Sequence, residues 1–356
     1  MAVSVVGSIA FDSVRTPFGE ADRELGGSGL HAALTAAAFT DVLLVAAVGD
    51  DFGPEHDEML RGRRIDTSGV AREPGGRTLS WTVRYDLDLA LAQPEALDLG
   101  VVDGWRPRLS APAAMARTLF LGVMDPETQL DVRSQWQGDG WVVLDTLRHW
   151  VETRREKLLE ALAACDVALL TDQEARGLTG RPSLLEASRE IQSWGPEVVV
   201  VKQGEYGCSL LTSDGYFALP GYPLETVVDP TGGGDAFAGG VTGYLDLVGG
   251  GRLTEEVMRR AVTHGIVMAS FAVEDFGSRR TAALGQHEID HRLDAFRRVT
   301  HFEHVPTGER PLHGEDSEPR LPHPGLTPST RTPDAPHRTP STEPQRSFES
   351  PTRDPR

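Results

Sequence analysis

Asp229-Pro230-Thr231-Gly232-Gly233-Gly234-Asp235, continued by Ala236-Phe237-Ala238-Gly239-Gly240, is the stretch on which the reading of this chain turns. Its three consecutive glycines lie between a β-prone run, Thr226-Val227-Val228, and an apolar segment of helical character, so the backbone is expected to turn sharply and open a helix. A helix start of this kind holds an anion. Its first N–H groups lack intrahelical partners, the positive end of the dipole lies there, and glycine lets a ligand approach the backbone. Two carboxylates nevertheless flank the turn, and Asp235 is out of place at an anion site unless it handles a proton. For this stretch alone two readings stand level. One is a phosphoryl-transfer site, with Asp235 as general base and the glycine amides on the transferring phosphate. The other is a glycine-rich connection with a helix-capping Asp.

Working outward, residues 2–7 are β-branched and short, the mark of a strand buried on both faces, and residues 42–48 repeat the pattern. Residues 28–39 are alanine-rich and follow the turn Gly26-Gly27, which predicts a helix, and residues 54–61 predict another. From Thr118 onward short apolar runs at 119–123, 141–144 and 167–170 alternate with helical patterns at 126–137 and 150–164 and after residue 170. Strands at 198–201 and 208–212 and long helices at 254–272 and 286–302 complete the series. Strand and helix taking turns implies βαβ units: an α/β fold with a mostly parallel central sheet and helices on both faces. Residues 77–86 differ. Leu79, Trp81, Val83 and Tyr85 alternate with Thr78, Ser80, Thr82 and Arg84, a period of two that marks a half-buried strand. It belongs to a small separate sheet, with residues 16–25 as its expected partner.

Of the 356 residues 39% are hydrophobic, enough for a sizeable core, but half of the 24 prolines lie at or after Pro306. That region is rich in Pro, Thr, Ser and Arg, holds Thr-Pro-Ser-Thr twice, and has too few apolar residues to offset the entropy of ordering. The folded domain is therefore expected over residues 1–302, with a disordered tail at 303–356. From Pro306 on the tail carries eight acids against seven arginines, so nearly all of the net charge of −18 falls on the folded part. Such a surface repels nucleic acid on average. Cys165 and Cys208 are the only cysteines, too few and too far apart for a disulfide framework or a zinc cluster. The N-terminus lacks a basic leader and reads as a first strand, and no apolar run is long enough to span a bilayer. A cytoplasmic protein without membrane partners is the expectation.

Five features occur in a fixed order: Gly7 to Asp12 after the first strand, Gly26-Gly27 opening a helix, Gly49-Asp50-Asp51-Phe52-Gly53, Glu174 after a buried strand, and the turn at Asp229. In order and spacing they resemble the ribokinase or PfkB-like family of carbohydrate and nucleoside kinases, over about residues 1–302. The most specific part is Asp229 to Asp235, similar to the family's D-T-x-G-A-G-D signature with Pro230 and Gly233 as departures.

The resemblance implies an ATP-dependent phosphotransferase acting on an alcohol group of a small sugar or polyol. A nucleoside kinase of the same fold, or a non-catalytic sugar- or nucleotide-binding regulator, stands as the alternative. It implies catalytic roles for Asp235 and the amides of Gly232, Gly233 and Gly234, and substrate contacts from Asp12, Gly26, Gly27 and His31. A carboxylate at position 12 can accept from two neighbouring hydroxyls at once. His31 stands where the family often has Asn, so it either contacts a different ligand or faces the core. On the nucleotide side the resemblance implies Lys202, Gly204, Gly207, Glu174 and Asp229, although Asp229 also reads as a residue that fixes the turn. Glu174, with Thr171 in place of the family's Asn, would hold Mg²⁺ through water; the same residues also read as the first turn of a helix. A monovalent cation is a further implied cofactor. The segments at about 13–25 and 75–105 would form a lid over the substrate, and the apolar face of Trp81 and Tyr85 would serve either lid closure or a homodimer contact.

Overall fold

Runs of valine, leucine and alanine without polar alternation become the inside of a nine-stranded sheet. The computed structural model describes residues 2–89 and 91–301, which fall within one compact unit. The expected tail at 303–356 lies outside the described residues. In chain order the strands are β1 (Ala2–Val6), β2 (Ala10–Thr16), β3 (Gly19–Gly26), β4 (Asp41–Val48), β5 (Ile65–Arg72), β6 (Leu79–Arg84), β7 (Gln93–Asp98), β8 (Thr118–Leu121), β9 (Val142–Asp145), β10 (Val167–Thr171), β11 (Val198–Lys202), β12 (Cys208–Leu211) and β13 (Tyr216–Leu219). The large sheet has the order β13-β12-β11-β10-β9-β8-β1-β4-β5. From β5 to β11 neighbouring strands are parallel, and β12 and β13 close the edge antiparallel.

One face of this sheet, carrying Val3, Val5, Leu44 and Val200, packs on Leu30, Leu34, Phe237, Val241 and Val262 of the Ser28–Ala36, Gly233–Val248 and Glu255–Ala272 helices. The other, carrying Val6, Leu119, Leu144 and Ala168, packs on Val132, Leu158 and Ile191 of the Pro126–Gln135, Arg155–Ala163 and Leu184–Gln192 helices. The mostly parallel α/β sheet with helices on both faces is thus as expected from the sequence. Burial on both sides explains why its strands read as unbroken apolar runs.

The small sheet has the order β3-β2-β6-β7. The half-buried strand expected within 77–86 is present at 79–84, but the expected partner at 16–25 does not pair with it. β6 pairs in parallel with β2, Asp12 opposite Trp81, and with β7 on its other side, while β3 pairs with β2. The chain passes from β1, inside the large sheet, through residues 7–9 into β2, one of the two inner strands of the small sheet.

Two further expectations need correction. The single helix at 150–164 is two, Arg148–Thr153 and Arg155–Ala163, separated at Arg154 with φ −135° and ψ 33°. The first packs toward the Asp172–Thr179 helix and the second toward Pro126–Gln135, so one straight axis does not serve both. The run Thr226-Val227-Val228 forms no strand. Its backbone is satisfied elsewhere: the Thr16 hydroxyl donates to Val228 O at 2.8 Å, and Val228 N–H donates to Val273 O at 2.9 Å. Among the described residues no helix is long and apolar enough to cross a membrane. Cys165 and Cys208 are buried and unbridged.

Candidate active site

In parallel sheets the carboxyl ends of the strands, where the strand order reverses direction, form the natural crevice. Here the reversal falls between β1 and β8, and β9, β10 and β11 end side by side in Asp145, Thr171 and Lys202. The start of the Gly233–Val248 helix lies over these ends, its Gly234 backbone against Lys202.

Gly232 is the N-cap, with φ 75° and ψ −6°, a left-handed conformation that glycine adopts without strain. Space forbids a side chain as well, since a Cβ there would lie 2.3 Å from His31 Nε2. The amide of Gly233 closes the turn onto Pro230 O at 3.2 Å, so it is already engaged. Ala236 is the residue that bonds back to Gly232 O, at 2.8 Å, so the amides of Gly234 and Asp235 have no helical acceptor one turn behind them. Asp229 is fully buried under the turn. Its Oδ1 accepts the Thr231 N–H at 2.8 Å and its Oδ2 the Gly277 N–H at 3.2 Å. Both oxygens are spent on backbone, which is the turn-fixing arrangement.

Asp235 stands in the first helical turn and opens partly to solvent. Desolvation, followed by the Asp145 charge, pushes its carboxyl up to about 7 despite the opposing pull of Lys202. Lys202 donates to both oxygens of Asp145, at 2.8 and 2.6 Å, and its Nζ lies 3.4 Å from where a Gly234 side chain would begin. Burial works against the ammonium, yet Asp145 and Glu174 hold its pKa above the usual value.

Glu174 is 3% exposed and joins Thr171 in a capping box. Glu174 Oε2 accepts the Thr171 N–H at 2.7 Å, and Thr171 Oγ1 accepts the Glu174 N–H at 3.2 Å. One carboxylate oxygen therefore remains for water. Among the described residues no group of three or more His, Cys, Asp or Glu side chains is placed to cage a metal. This donor set fits an ion that arrives on a nucleotide and keeps most of its water, as Mg²⁺ does.

On the opposite side of the turn Asp12, 3% exposed, sits on β2 just before a register shift. A Cβ on Gly26 would lie 2.1 Å from Asp12 Oδ2, so the bare glycine makes room for this carboxylate. Burial, and then the charges of Asp229 and Asp235, push Asp12 up to about 7. Gly27, with φ +99°, serves the chain itself, because a Cβ would meet Ser8 O at 2.6 Å. His31 lies between the two halves. It is 1% exposed, neither ring nitrogen has a partner, and burial lowers it to about 4, so the ring is neutral.

The structure thus gathers Asp12, Gly26, His31, Gly232, Gly234, Asp235, Lys202 and Glu174 around one turn. Gly204 and Gly207 lie in the link between β11 and β12, where Gly207 is required because a Cβ would come 2.1 Å from Leu219 O. Two residues of the cluster escaped assignment to the site from sequence. Asp145 follows an apolar run just as Glu174 does, and that parallel was the available signal. Tyr85, noted from sequence only for the apolar face it shares with Trp81, accepts from Thr231 Oγ1 at 3.3 Å and so brings the end of β6 onto the turn.

A glycine-opened helix start flanked by carboxylates and a lysine, at the carboxyl ends of a parallel sheet and reached by a small second sheet through Tyr85, is the architecture of a sugar-kinase-like phosphotransferase. Residues 135–283 match the model described as pfkB family carbohydrate kinase. The chain is 33% identical over 262 residues to the cytidine kinase of Thermococcus kodakarensis, covering 72% of this chain and 91% of that protein. The chain belongs to the pfkB family of carbohydrate kinases. Its fold is similar to a nucleoside kinase of Methanocaldococcus jannaschii, described as an archaeal member of the ribokinase family (TM-score 0.66, 19% identity, 83% of this chain and 98% of that one). It is equally similar to a Vibrio cholerae fructokinase bound to fructose, ADP and calcium (TM-score 0.65, 20% identity, 82% and 98%).

Proposed function

We propose that this kinase transfers the γ-phosphoryl group of ATP to a hydroxymethyl group of a ribonucleoside, with Asp235 as the base. The observation that carries the reading is the place of Asp235: the first turn of a helix opened by Gly232–Gly234, beside the Lys202 ammonium. In the step, the substrate O–H gives its proton to the Asp235 carboxylate and its oxygen bonds to the γ-phosphorus. The bond from that phosphorus to the bridging oxygen breaks, and ADP leaves. The chain's part is alignment and neutralisation, the two things this chemistry asks of a protein. The first-turn amide of Gly234, which lacks a helical acceptor, meets the developing charge, at roughly 3 kcal/mol for such a donor. Magnesium carried by the nucleotide would neutralise phosphate charge, with Glu174 holding its water. Asp12 accepts from two neighbouring hydroxyls, and the lid residue Tyr85 helps exclude water.

A ribonucleoside offers both the vicinal diol for Asp12 and the hydroxymethyl acceptor. The relation to cytidine kinase over 91% of that protein favours it over a free small sugar, to which the sequence reading gave preference. A non-catalytic regulator would not need a carboxylate held at the mouth of the turn.

The test is ATP consumption with Mg²⁺ over panels of nucleosides and sugars, for the wild type and for Asp235→Asn. The variant should fold normally and lose about 1,000-fold or more in kcat. Normal turnover by Asp235→Asn would sink the assignment of the base, and turnover with free sugars alone would sink the nucleoside reading.

A further inference from the structure

Lys202 is one of only two lysines in the chain, and its partner Asp145 is fully buried at the end of β9. The ammonium carries three donors. Two of them go to Asp145 Oδ1 and Oδ2, at 2.8 and 2.6 Å, a two-pronged grip that leaves little freedom to the charge. Asp145 is itself fixed, because its Oδ1 also accepts the Thr146 N–H at 2.9 Å and its main-chain oxygen accepts from Gln129 Nε2 at 2.8 Å. The third donor of Lys202 belongs to a nitrogen that sits against Gly234, the residue whose amide lacks a helical acceptor. The Lys202 side chain keeps 13% exposure, whereas that of Asp145 keeps 1%, so the open side of the pair is the lysine side.

We propose that Asp145 is a positioning residue: it clamps Lys202 so that the remaining ammonium N–H, together with the Gly234 amide, receives a terminal phosphate oxygen of ATP. The inference rests on the phosphotransfer reading but concerns nucleotide recognition rather than proton removal. A free lysine would be a mobile point charge that binds any phosphate. A lysine held at two of its three donors is a directional one, and it distinguishes a nucleotide that reaches Gly234 with its last phosphate from one that falls short.

The experiment measures equilibrium binding of a non-hydrolysable ATP analogue and of ADP, with Mg²⁺, to the wild type, Asp145→Asn, Lys202→Met and the double variant, each after its melting temperature has been recorded. The wild type should prefer the triphosphate by about tenfold or more. Lys202→Met should abolish the preference, Asp145→Asn should reduce it severalfold with little change in ADP affinity, and the double variant should lose no more than Lys202→Met. The double variant removes both charges together, so it stays folded even where a single change leaves an unpaired buried charge. Retention of the full preference by folded Asp145→Asn, losses that multiply in the double variant, or no preference in the wild type would each overturn the proposal. Turnover of Asp235→Asn is measured alongside. Failure of the base assignment is then read from its turnover and failure of the clamp from binding.

Discussion

Gly232 carries two demands at one position. Its backbone is left-handed, which costs a residue with a Cβ about 1–2 kcal/mol, and the same Cβ would enter the His31 ring at 2.3 Å. Gly232→Ala is therefore expected to lower stability by more than the backbone cost alone, by about 3 kcal/mol, and to reduce kcat at least tenfold by displacing the first-turn amides. The two contributions separate in a double-mutant cycle with His31→Ala, measured by urea unfolding. The pair should recover roughly 1 kcal/mol or more relative to the sum of the single changes. Simple additivity would mean that the ring does not press on the turn. His31 itself is a buried imidazole with no partner at either nitrogen, a condition native interiors rarely tolerate without a ligand or a water.

The Gly233–Val248 helix holds the turn at one end and is pinned at the other. Near its last turn the fully buried Asp246 accepts from Thr40 Oγ1 at 2.6 Å, from Thr118 Oγ1 at 3.0 Å and from Arg117 Nε at 3.2 Å. These bonds tie the helix to the start of β8 and to the end of the Ser28–Ala36 helix region, and anchoring at this end is expected to set the position of the turn at the other. Asp246→Ala should cost about 3 kcal/mol in urea unfolding, because it strands a partly buried arginine and two buried hydroxyls. It should cost kcat as well, although the change is remote from the chemistry. A loss of stability with unaltered kcat would mean that the turn is positioned locally.

The elements that sequence made legible are those whose residues declare one environment. β1, β4 and β8 to β11 are buried on both faces and read as apolar runs, and the helices that cover them carry alanine or leucine at helical spacing. β5 and β7 gave no such signal: Ile65–Arg72 is a half-exposed edge strand and Gln93–Asp98 an almost fully exposed one, and their polar sequences pair because a neighbour is already in place. Thr226-Val227-Val228 shows the converse, a β-prone run whose backbone is taken by Thr16 and Val273 before any strand can use it. At the site, Asp12, Asp235 and the glycines are singled out in the sequence through the family resemblance, and the fold brings them around one turn. Asp145 and Tyr85 are not assigned to the site from sequence, since each matters through a partner, Lys202 or Thr231, that lies 57 or 146 residues away.

Taken as a whole, the molecule concentrates buried negative charge around a site meant for anions, and this has a consequence for stability. Asp12 and Asp235 sit at about 7 in the fold against 3.8 ordinarily, and burial pushes Asp145, Glu174 and Asp229 upward too. A carboxyl raised by folding binds protons in the native state that the unfolded chain has released. Its contribution is fully present below about pH 4 and is lost as pH rises through about 7. Asp51, where burial is outweighed by hydrogen bonds from Thr78 and Arg23, is held low and works the other way, but at the acidic end. On the proposed role of Asp235 as the base, activity has the opposite sign: the carboxyl must be ionised to accept a proton, so kcat should fall as pH drops through about 7. The ligand-free protein is therefore expected to melt about 5 °C lower at about pH 8 than at about pH 5.5, the reverse of its activity profile. Calorimetry across that window on the wild type and on Asp12→Asn checks the cause: the amide cannot ionise, so the variant should gain a few degrees at the alkaline end and show a flatter profile. A melting temperature that holds level or rises toward pH 8 in the wild type would mean that these carboxyls are already ionised in the ligand-free fold, and the site would then have to work with a far weaker base.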